Sequence, residues 1–341
     1  MNNENIFIDI TLDQLKNLNV LFGGRGIGKT YSILKHVIEY SISNPGRKFI
    51  WLRDSERVIQ KVGSGQCLTA PIESNEKNFP HVEFIKDNGN YKFMTIDDNG
   101  VPEDCLGYLM ALSTFHNARG IDFSDVDYII WDEFIPEEGS IIRKYQGSTF
   151  LNMYESVNRN REMLGADPVK IILLSNTNEI YSEVLEDLGV SGIIENMKIE
   201  GINKYIDNDV WIEFLSSSAF YEAKKNTFLY RISNNEKFKN MALENNFNVS
   251  TTLINHKPNM KGSKALLVVD DKYTLVQLKN GSLIWIKRVY KGVINYDMDN
   301  EQEAILFRLL FNDKLRKVYI AGSMFFDSIY TQRNILNYAK M

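Results

Sequence analysis

The first 200 residues predict an α/β domain built on a largely parallel sheet, and the remainder predicts a smaller α+β unit. Three observations carry this. Short apolar runs alternate with helical patterns through the first part of the chain. A glycine-rich segment, Gly23–Thr30, stands between an apolar run and a helical pattern. A later apolar run, Tyr128–Trp131, ends on two acids, Asp132 and Glu133.

Taken in order, Val20–Phe22 reads as a short strand that stops at Gly23-Gly24. Thr30 to Ser43 reads as a helix, with Ile33, Val37 and Ile38 at helical spacing and Asn44-Pro45-Gly46 ending it. Phe49–Leu52 is a second strand. Val82–Ile85 and Tyr91–Ile96 flank Asp87-Asn88-Gly89-Asn90, a hairpin signal, and Asn99-Gly100 marks a turn before Cys105–Leu112, so this stretch reads as an antiparallel insertion. Tyr128–Trp131 and Lys170–Leu174 are continuous apolar runs of the buried-strand type. Between them Phe150, Met153, Tyr154 and Val157 share one face of a helix expected over Phe150–Leu164.

Residues 201–262 are Asn-rich, with Asn234-Asn235 and Asn245-Asn246, and read as a linker with short helices between a domain of 1–200 and one of 263–341. Strands are expected again at Ala265–Val269, Tyr273–Leu278 and Leu283–Val289, with Asn280-Gly281 as a hairpin turn. Helical tails are expected at Ile305–Leu315 and Ile329–Lys340.

Composition narrows the class. With 44% apolar residues the chain can bury true cores. No uninterrupted apolar run reaches the ~18 residues of a membrane span, and the acidic MNNENIFIDI start does not read as a signal peptide. Cys67 and Cys105 are too few for a disulfide framework, and His36, His81, His116 and His256 show no metal-ligand spacing with them. A cytoplasmic protein is expected. The net charge of −5 hides an asymmetry: residues 1–200 carry 19 basic and 30 acidic side chains, residues 201–341 carry 20 and 14. A polyanion would prefer the second part.

Gly23-Gly24-Arg25-Gly26-Ile27-Gly28-Lys29-Thr30, followed by Tyr31, satisfies G-x-x-x-x-G-K-[ST] at every required position. Glycines let backbone amides close around a phosphate, and the helix that follows aims its positive end at the same anion. Lys29 then reaches the β- and γ-phosphates of ATP, and Thr30 offers its hydroxyl to Mg²⁺. Asp132, about a hundred residues on, is the second candidate magnesium ligand. Glu133 is the candidate for orienting and deprotonating water. An acid-tipped strand alone is a weak signal, but the phosphate loop gives it meaning. Ile171–Leu174 is a further apolar strand, tipped by Ser175 and Asn176, either of which could sense the γ-phosphate.

Arginines complete the candidates. Arg159 lies off the apolar stripe of its helix and can face a neighbour's ATP, whereas Arg161 joins that stripe. Arg25 can reach phosphates in its own chain, and Arg119 precedes the acid-tipped strand. Asp270, Asp271, Asp297 and Asp299 sit beside turn signals, which favours turns over a two-metal site.

GGRGIGKT, ALSTFHNARG, YIIWDEFIPEEG, NRNRE and ILLSN occur in one order and spacing. Together they resemble the DNA-packaging (encapsidation) ATPases of phi-29-like tailed bacteriophages, relatives of large terminases and FtsK/HerA-type translocases. The likeness covers most of residues 17–180 and continues more weakly to the C-terminus. It implies an additional-strand, catalytic-glutamate (ASCE) P-loop domain and an RNase H- or nuclease-like C-terminal domain without nuclease activity. It also implies a homopentameric ring on the portal vertex of a prohead in the host cytoplasm, moving double-stranded DNA at the expense of ATP, with a packaging RNA as a further partner. On the same pattern Arg159 is the trans-acting finger, Arg25 the cis arginine, and Arg119 a basic residue acting across the subunit interface. The family is more basic where this chain reads Asp54-Ser55-Glu56. The competing readings are another P-loop morphogenesis ATPase that does not act on DNA, a nucleotide kinase, disfavoured by Glu133 and the lack of an Arg-rich lid, and a nucleotide-propped scaffold.

Overall fold

The computed structural model describes residues 6–61, 81–87, 90–118, 121–135, 145–176, 180–233 and 252–340. Two compact units divide the chain, Met1–Phe247 and Asn248–Met341.

The first unit is organised by one sheet of β1 (Leu18–Gly23), β2 (Lys48–Arg53), β3 (Val82–Asp87), β4 (Asn90–Ile96), β5 (Pro102–Ala111), β6 (Val126–Asp132), β7 (Lys170–Ser175), β8 (Lys204–Ile206) and β9 (Val210–Leu215). Their spatial order is β3-β4-β5-β2-β6-β7-β1-β9-β8. The stretch from β5 to β9 is parallel throughout, while β3, β4 and β8 add antiparallel edges. Parallel strands need crossovers that cover both faces, so the central strands are buried on both sides, as their unbroken Val, Ile, Leu and Phe runs require. On one face Leu21, Trp51, Ile130 and Leu174 join Ile33 and Val37 of α1 (Lys29–Ser43) in a single core. On the other, the Trp131 ring lies 5.2 Å from that of Phe150 in α3 (Gln146–Asn158), and Phe22 stacks on Phe214 at 4.9 Å. The helix α2 (Glu56–Lys61) lies between β2 and β3 in sequence.

Four expectations need correction. The segment 82–112 is not a separate antiparallel insertion: β5 pairs with β2 in parallel, so β3 and β4 extend the main sheet. The helix expected over Phe150–Leu164 ends at Asn158, because Arg159 turns left-handed (φ 46°) and only a short 3-10 turn, Glu162–Leu164, follows. The region read as a linker from 201 supplies β8 and β9, and β9 is the parallel neighbour of β1. Trp211, Ile212, Phe214 and Leu215 are buried on both faces of the strand, with Glu213 partly exposed between them, as in a strand of a parallel block. The strand expected to Val289 stops at Ile286, where the Arg288 amide turns back to the Ile286 carbonyl. The turn residues Asn88-Gly89, the Asn234-Asn235 and Asn245-Asn246 pairs and Arg119 lie outside the described residues.

After β7 come α4 (Glu183–Asp187), capped by the Ser182 hydroxyl, and α5 (Ser191–Glu200). After β9 come α6 (Ser218–Lys225), capped by Ser217, and α7 (Phe228–Ile232).

The second unit is a five-stranded sheet in the order β13-β10-β11-β12-β14. Its meander is β10 (Lys264–Val269), β11 (Tyr273–Gln277) and β12 (Leu283–Ile286), with β13 (Asn295–Tyr296) and β14 (Met324–Phe326) parallel at the edges. Asn280-Gly281 makes the β11–β12 turn, with Gly281 at φ 89°. α8 (Glu301–Ile320) is capped by Asn300, whose side chain accepts from the Gln302 and Glu303 amides, and α9 (Ile329–Ala339) is capped by Ser328. Phe307, Trp285, Tyr273 and Phe326 form the core of this unit. Among the described residues no helix is long and apolar enough to cross a membrane.

Candidate nucleotide site

The parallel block sets the site. β1, β6 and β7 run in register, Phe22 beside Ser175 and Asp132 beside Leu174. Their carboxyl ends therefore bring Gly23, Asp132, Glu133 and Asn176 to one edge of the sheet, where open α/β sheets bind ligands. β7 lies between the strand that feeds the glycine loop and the strand that ends in acids.

The loop Gly24–Gly28 carries the chain from β1 into α1 with Gly26 at φ 86° and Gly28 at φ 110°. A Cβ on Gly28 would also meet the Ile8 carbonyl at 3.1 Å, so a side chain there is excluded twice over. Ile27 is buried, and its carbonyl accepts from the Ile8 amide at 3.0 Å, which ties the N-terminal segment to the loop. Lys29 is buried, and its Nζ donates to the Gly23 carbonyl at 2.7 Å and the Gly24 carbonyl at 3.2 Å. Burial pushes its ammonium down to about 8, opposed by the Asp132 charge and aided by Lys224. Arg25 and Tyr31 are exposed.

Thr30 Oγ1 donates to Asp132 Oδ1 at 3.2 Å. These are two hard oxygen donors at the carboxyl end of the sheet. Mg²⁺ is bound by one or two carboxylates together with substrate phosphates and water, so the pair fits that ion. Asp132 is 5% exposed. Burial holds its pKa above the usual carboxylate range, against the opposing Arg53 charge. Glu133 follows in a left-handed conformation, φ 55°, sparsely populated for a residue with a Cβ. Its carboxylate accepts from Asn176 Nδ2 at 3.3 Å. The tip of β7 thus contacts the candidate base, and of the two expected sensors Asn176 makes that contact, while Ser175 is buried in the strand.

Sequence reasoning missed Arg53. Its guanidinium bridges both acids, Nη1 to Asp132 Oδ2 at 2.7 Å and Nη2 to Glu133 Oε2 at 2.5 Å. The available signal was positional: β2 is the parallel neighbour of β6, so its last residue shares the edge with Asp132. Gln146 was also missed. It is buried at the start of α3, and its Nε2 donates to Asp54 Oδ1 at 2.6 Å, so Asp54 follows Arg53 with a fixed partner rather than as a free acid.

The remaining arginines divide. Arg161 is held by the Ser124 carbonyl at 2.8 Å and Asp127 Oδ1 at 3.2 Å. Arg159 is half-exposed and donates to the Ser156 and Ile121 carbonyls. Both lie near the amino end of β7, since the Val169 amide bonds Asn158 Oδ1. β7 has six residues, which at about 3.3 Å each separates that end from the site by roughly 20 Å. Within one chain Arg159 does not serve this nucleotide site.

Comparison with known proteins places the chain in a family and a fold. The model of the family "Podovirus DNA encapsidation protein (Gp16)" matches residues 8–326. The DNA packaging protein of Bacillus phage phi29 is 24% identical over 326 residues, 91% of this chain and 90% of that protein. That of Bacillus phage B103 is 26% identical over 233 residues, 67% and 64%. Among solved structures, a chain of the bacteriophage phi-29 genome packaging motor assembly superposes with a TM-score of 0.62 at 19% identity, covering 97% of this chain and 98% of that one. A phi-28 gp11 DNA packaging motor chain gives 0.58 at 16%, covering 96% and 95%. Both structures share its fold.

Proposed function

The chain belongs to the podovirus DNA encapsidation protein family, and on that premise we propose that it is the ATPase that drives double-stranded DNA into a prohead in the host cell. One observation carries the ATPase reading: the Gly23–Thr30 loop, Asp132, Glu133 and Asn176 meet at one sheet edge with β7 between their strands. That inserted strand, with a glutamate after the aspartate, supports assignment to the additional-strand, catalytic-glutamate class.

The loop amides of Gly24, Gly26, Ile27 and Gly28 and the amine of Lys29 cradle the β- and γ-phosphates. Thr30 and Asp132 would hold Mg²⁺, which would neutralise charge on the phosphate oxygens. Glu133 orients a water and accepts its proton, with Asn176 fixing the carboxylate. Arg53 competes for that carboxylate, so Glu133 is free to act when the Arg53 bond loosens. Arg25, exposed at the loop tip, serves as a cis arginine. Arg159, remote from its own site, acts as a finger on a neighbouring copy in a ring, pentameric on the family pattern.

The second unit is read as a nuclease-like module that grips DNA or a packaging RNA without cutting. Supporting this, residues 248–341 carry 14 basic and 8 acidic side chains. Asp270 Oδ1 accepts from the Met298 amide and Asp297 Oδ1 from the Asp299 amide, so these acids hold turns. The portal is the remaining expected partner.

The test is ATP turnover against protein concentration, with and without double-stranded DNA. The expected result is turnover that rises with both. Turnover indifferent to both would mean a self-sufficient P-loop enzyme that does not act on DNA. Arg159→Ala should bind nucleotide normally and lose turnover in the assembled ring; an unchanged rate there would remove the finger assignment.

A further inference from the structure

The nucleotide site has a flank that the P-loop motif does not supply. β9 runs parallel to β1 with Gly23 beside Leu215, so the chain leaving β9 rises next to the glycine loop. Ser217 caps α6 there, accepting from the Phe220 amide at 3.2 Å and donating to the Ile6 carbonyl at 2.9 Å. Phe220 covers Gly26, where an added Cβ would stand 3.7 Å from Cζ, and its ring lies 6.0 Å from that of Phe7. One turn on, Lys224 donates its Nζ to the Arg25 carbonyl at the loop tip. The same ammonium sits 4.9 Å from the Phe220 ring and 5.5 Å from that of Tyr230 in α7, so aromatic faces on two helices fix its direction.

Charge gives this arrangement a purpose. Burial lowers the Lys224 pKa, and the Arg25 guanidinium lowers it further. The Lys224 charge in turn acts on Lys29. Three cations therefore bear on one glycine loop, and no carboxylate among the described residues pairs with Lys224. Asp132 and Glu133 offset the charge on Lys29, whereas Lys224 reaches the loop tip with burial and Arg25 both acting against its charge, a position that suits an added polyanion. A structural clip for the loop tip would need only a neutral donor.

We propose that Lys224 is a phosphate-binding residue of the nucleotide site, supplied in cis by α6, and that it favours ATP over ADP by adding a cation at the tip of the glycine loop. This rests on the ATPase reading above and names a residue outside its motif. α6 and α7 then form a flank whose seat on the loop depends on which nucleotide is bound.

The experiment is equilibrium binding of mant-ATP and mant-ADP, with magnesium, to the full chain carrying Glu133→Gln so that nothing is hydrolysed. Lys224→Met in that background should weaken mant-ATP about ten-fold, the loss expected for a charge-assisted hydrogen bond, and mant-ADP by less than about three-fold. Lys224→Arg should restore most of the difference, and the ATP loss should shrink as salt rises. The thermal midpoint without nucleotide should not move. Equal losses for the two nucleotides, or none, would overturn the proposal and leave Lys224 as a clip. Failure of the Glu133→Gln chain itself to bind mant-ATP would instead overturn the ATPase reading beneath it.

Discussion

The two ends of the central strands carry similar charges with opposite consequences. At the amino end of β6, Asp127 accepts from Arg47 and Tyr40, with Arg161 at 3.2 Å. Burial alone would raise its pKa, but these bonds and charges together bring it below the usual range. At the carboxyl end of the same strand, Asp132 also faces an arginine, Arg53 at 2.7 Å, yet burial and the neighbouring Glu133 leave it raised. An acid whose partners outweigh its burial is a clamp for the fold. An acid whose burial outweighs its partners is left wanting another cation, which is what a magnesium ligand requires.

Substitution separates the two ends most strongly in turnover. Lys29→Ala should abolish nucleotide turnover, and Asp132→Asn should reduce it by at least about 10²-fold, a loss typical of removing a group that stabilises transition-state charge. Neither should lower the thermal midpoint. Asp127→Ala should do the reverse. Loss of the carboxylate shared by Arg47 and Arg161 should cost about 1.5–3 kcal/mol in denaturant unfolding, the range for hydrogen bonds to a charged group, while turnover per folded molecule holds.

Next in size is the pH response. Lys29 must be protonated to hold phosphate, and with its pKa near 8 nucleotide affinity should be flat below that pH and fall by up to about ten-fold per unit above it. A flat profile to pH 10 would contradict the burial argument. For Asp127 the folded pKa is lowered, so its stabilisation is present above the unfolded value of about 3.9 and is lost as pH falls through the folded one. Asp127→Asn should flatten that acid limb of the stability curve; an unchanged limb would show that the clamp is not electrostatic.

The smallest expected effect is at Arg53. Arg53→Ala should leave binding within about three-fold, because Arg53 contacts the acids and not the glycine loop, and raise turnover by up to about ten-fold, the share expected of one charge-assisted bond that holds Glu133 back. A loss as large as that of Asp132→Asn would mean that Arg53 is needed at the reacting phosphate itself.

How much of this was legible follows from how local each piece is. Phosphate binding by a loop needs glycines, a lysine and a hydroxyl in consecutive positions, so Gly23–Thr30 could be read directly. Asp132, Glu133 and Asn176 could be read because strands end where parallel sheets bind ligands. Arg53 could not, since its bond to Asp132 spans 79 positions and depends on the order of strands in the sheet. Lys224 was hidden for a related reason. Asn-rich sequence around β8 and β9 read as a linker, and only the pairing of β9 with β1 brings α6 to the loop. The early end of α3 had no glycine to announce it, because Arg159 itself takes the left-handed conformation.

The central claim is that chemistry resides at the carboxyl edge, with Glu133 as its base. The measurement is bound nucleotide and released phosphate, followed together for the unsubstituted chain, Glu133→Gln and Asp127→Asn at concentrations that allow assembly. The account predicts that Glu133→Gln binds ATP normally and releases phosphate at least about 10²-fold more slowly, while Asp127→Asn keeps its turnover per folded molecule. Phosphate release by Glu133→Gln at the unsubstituted rate would contradict it.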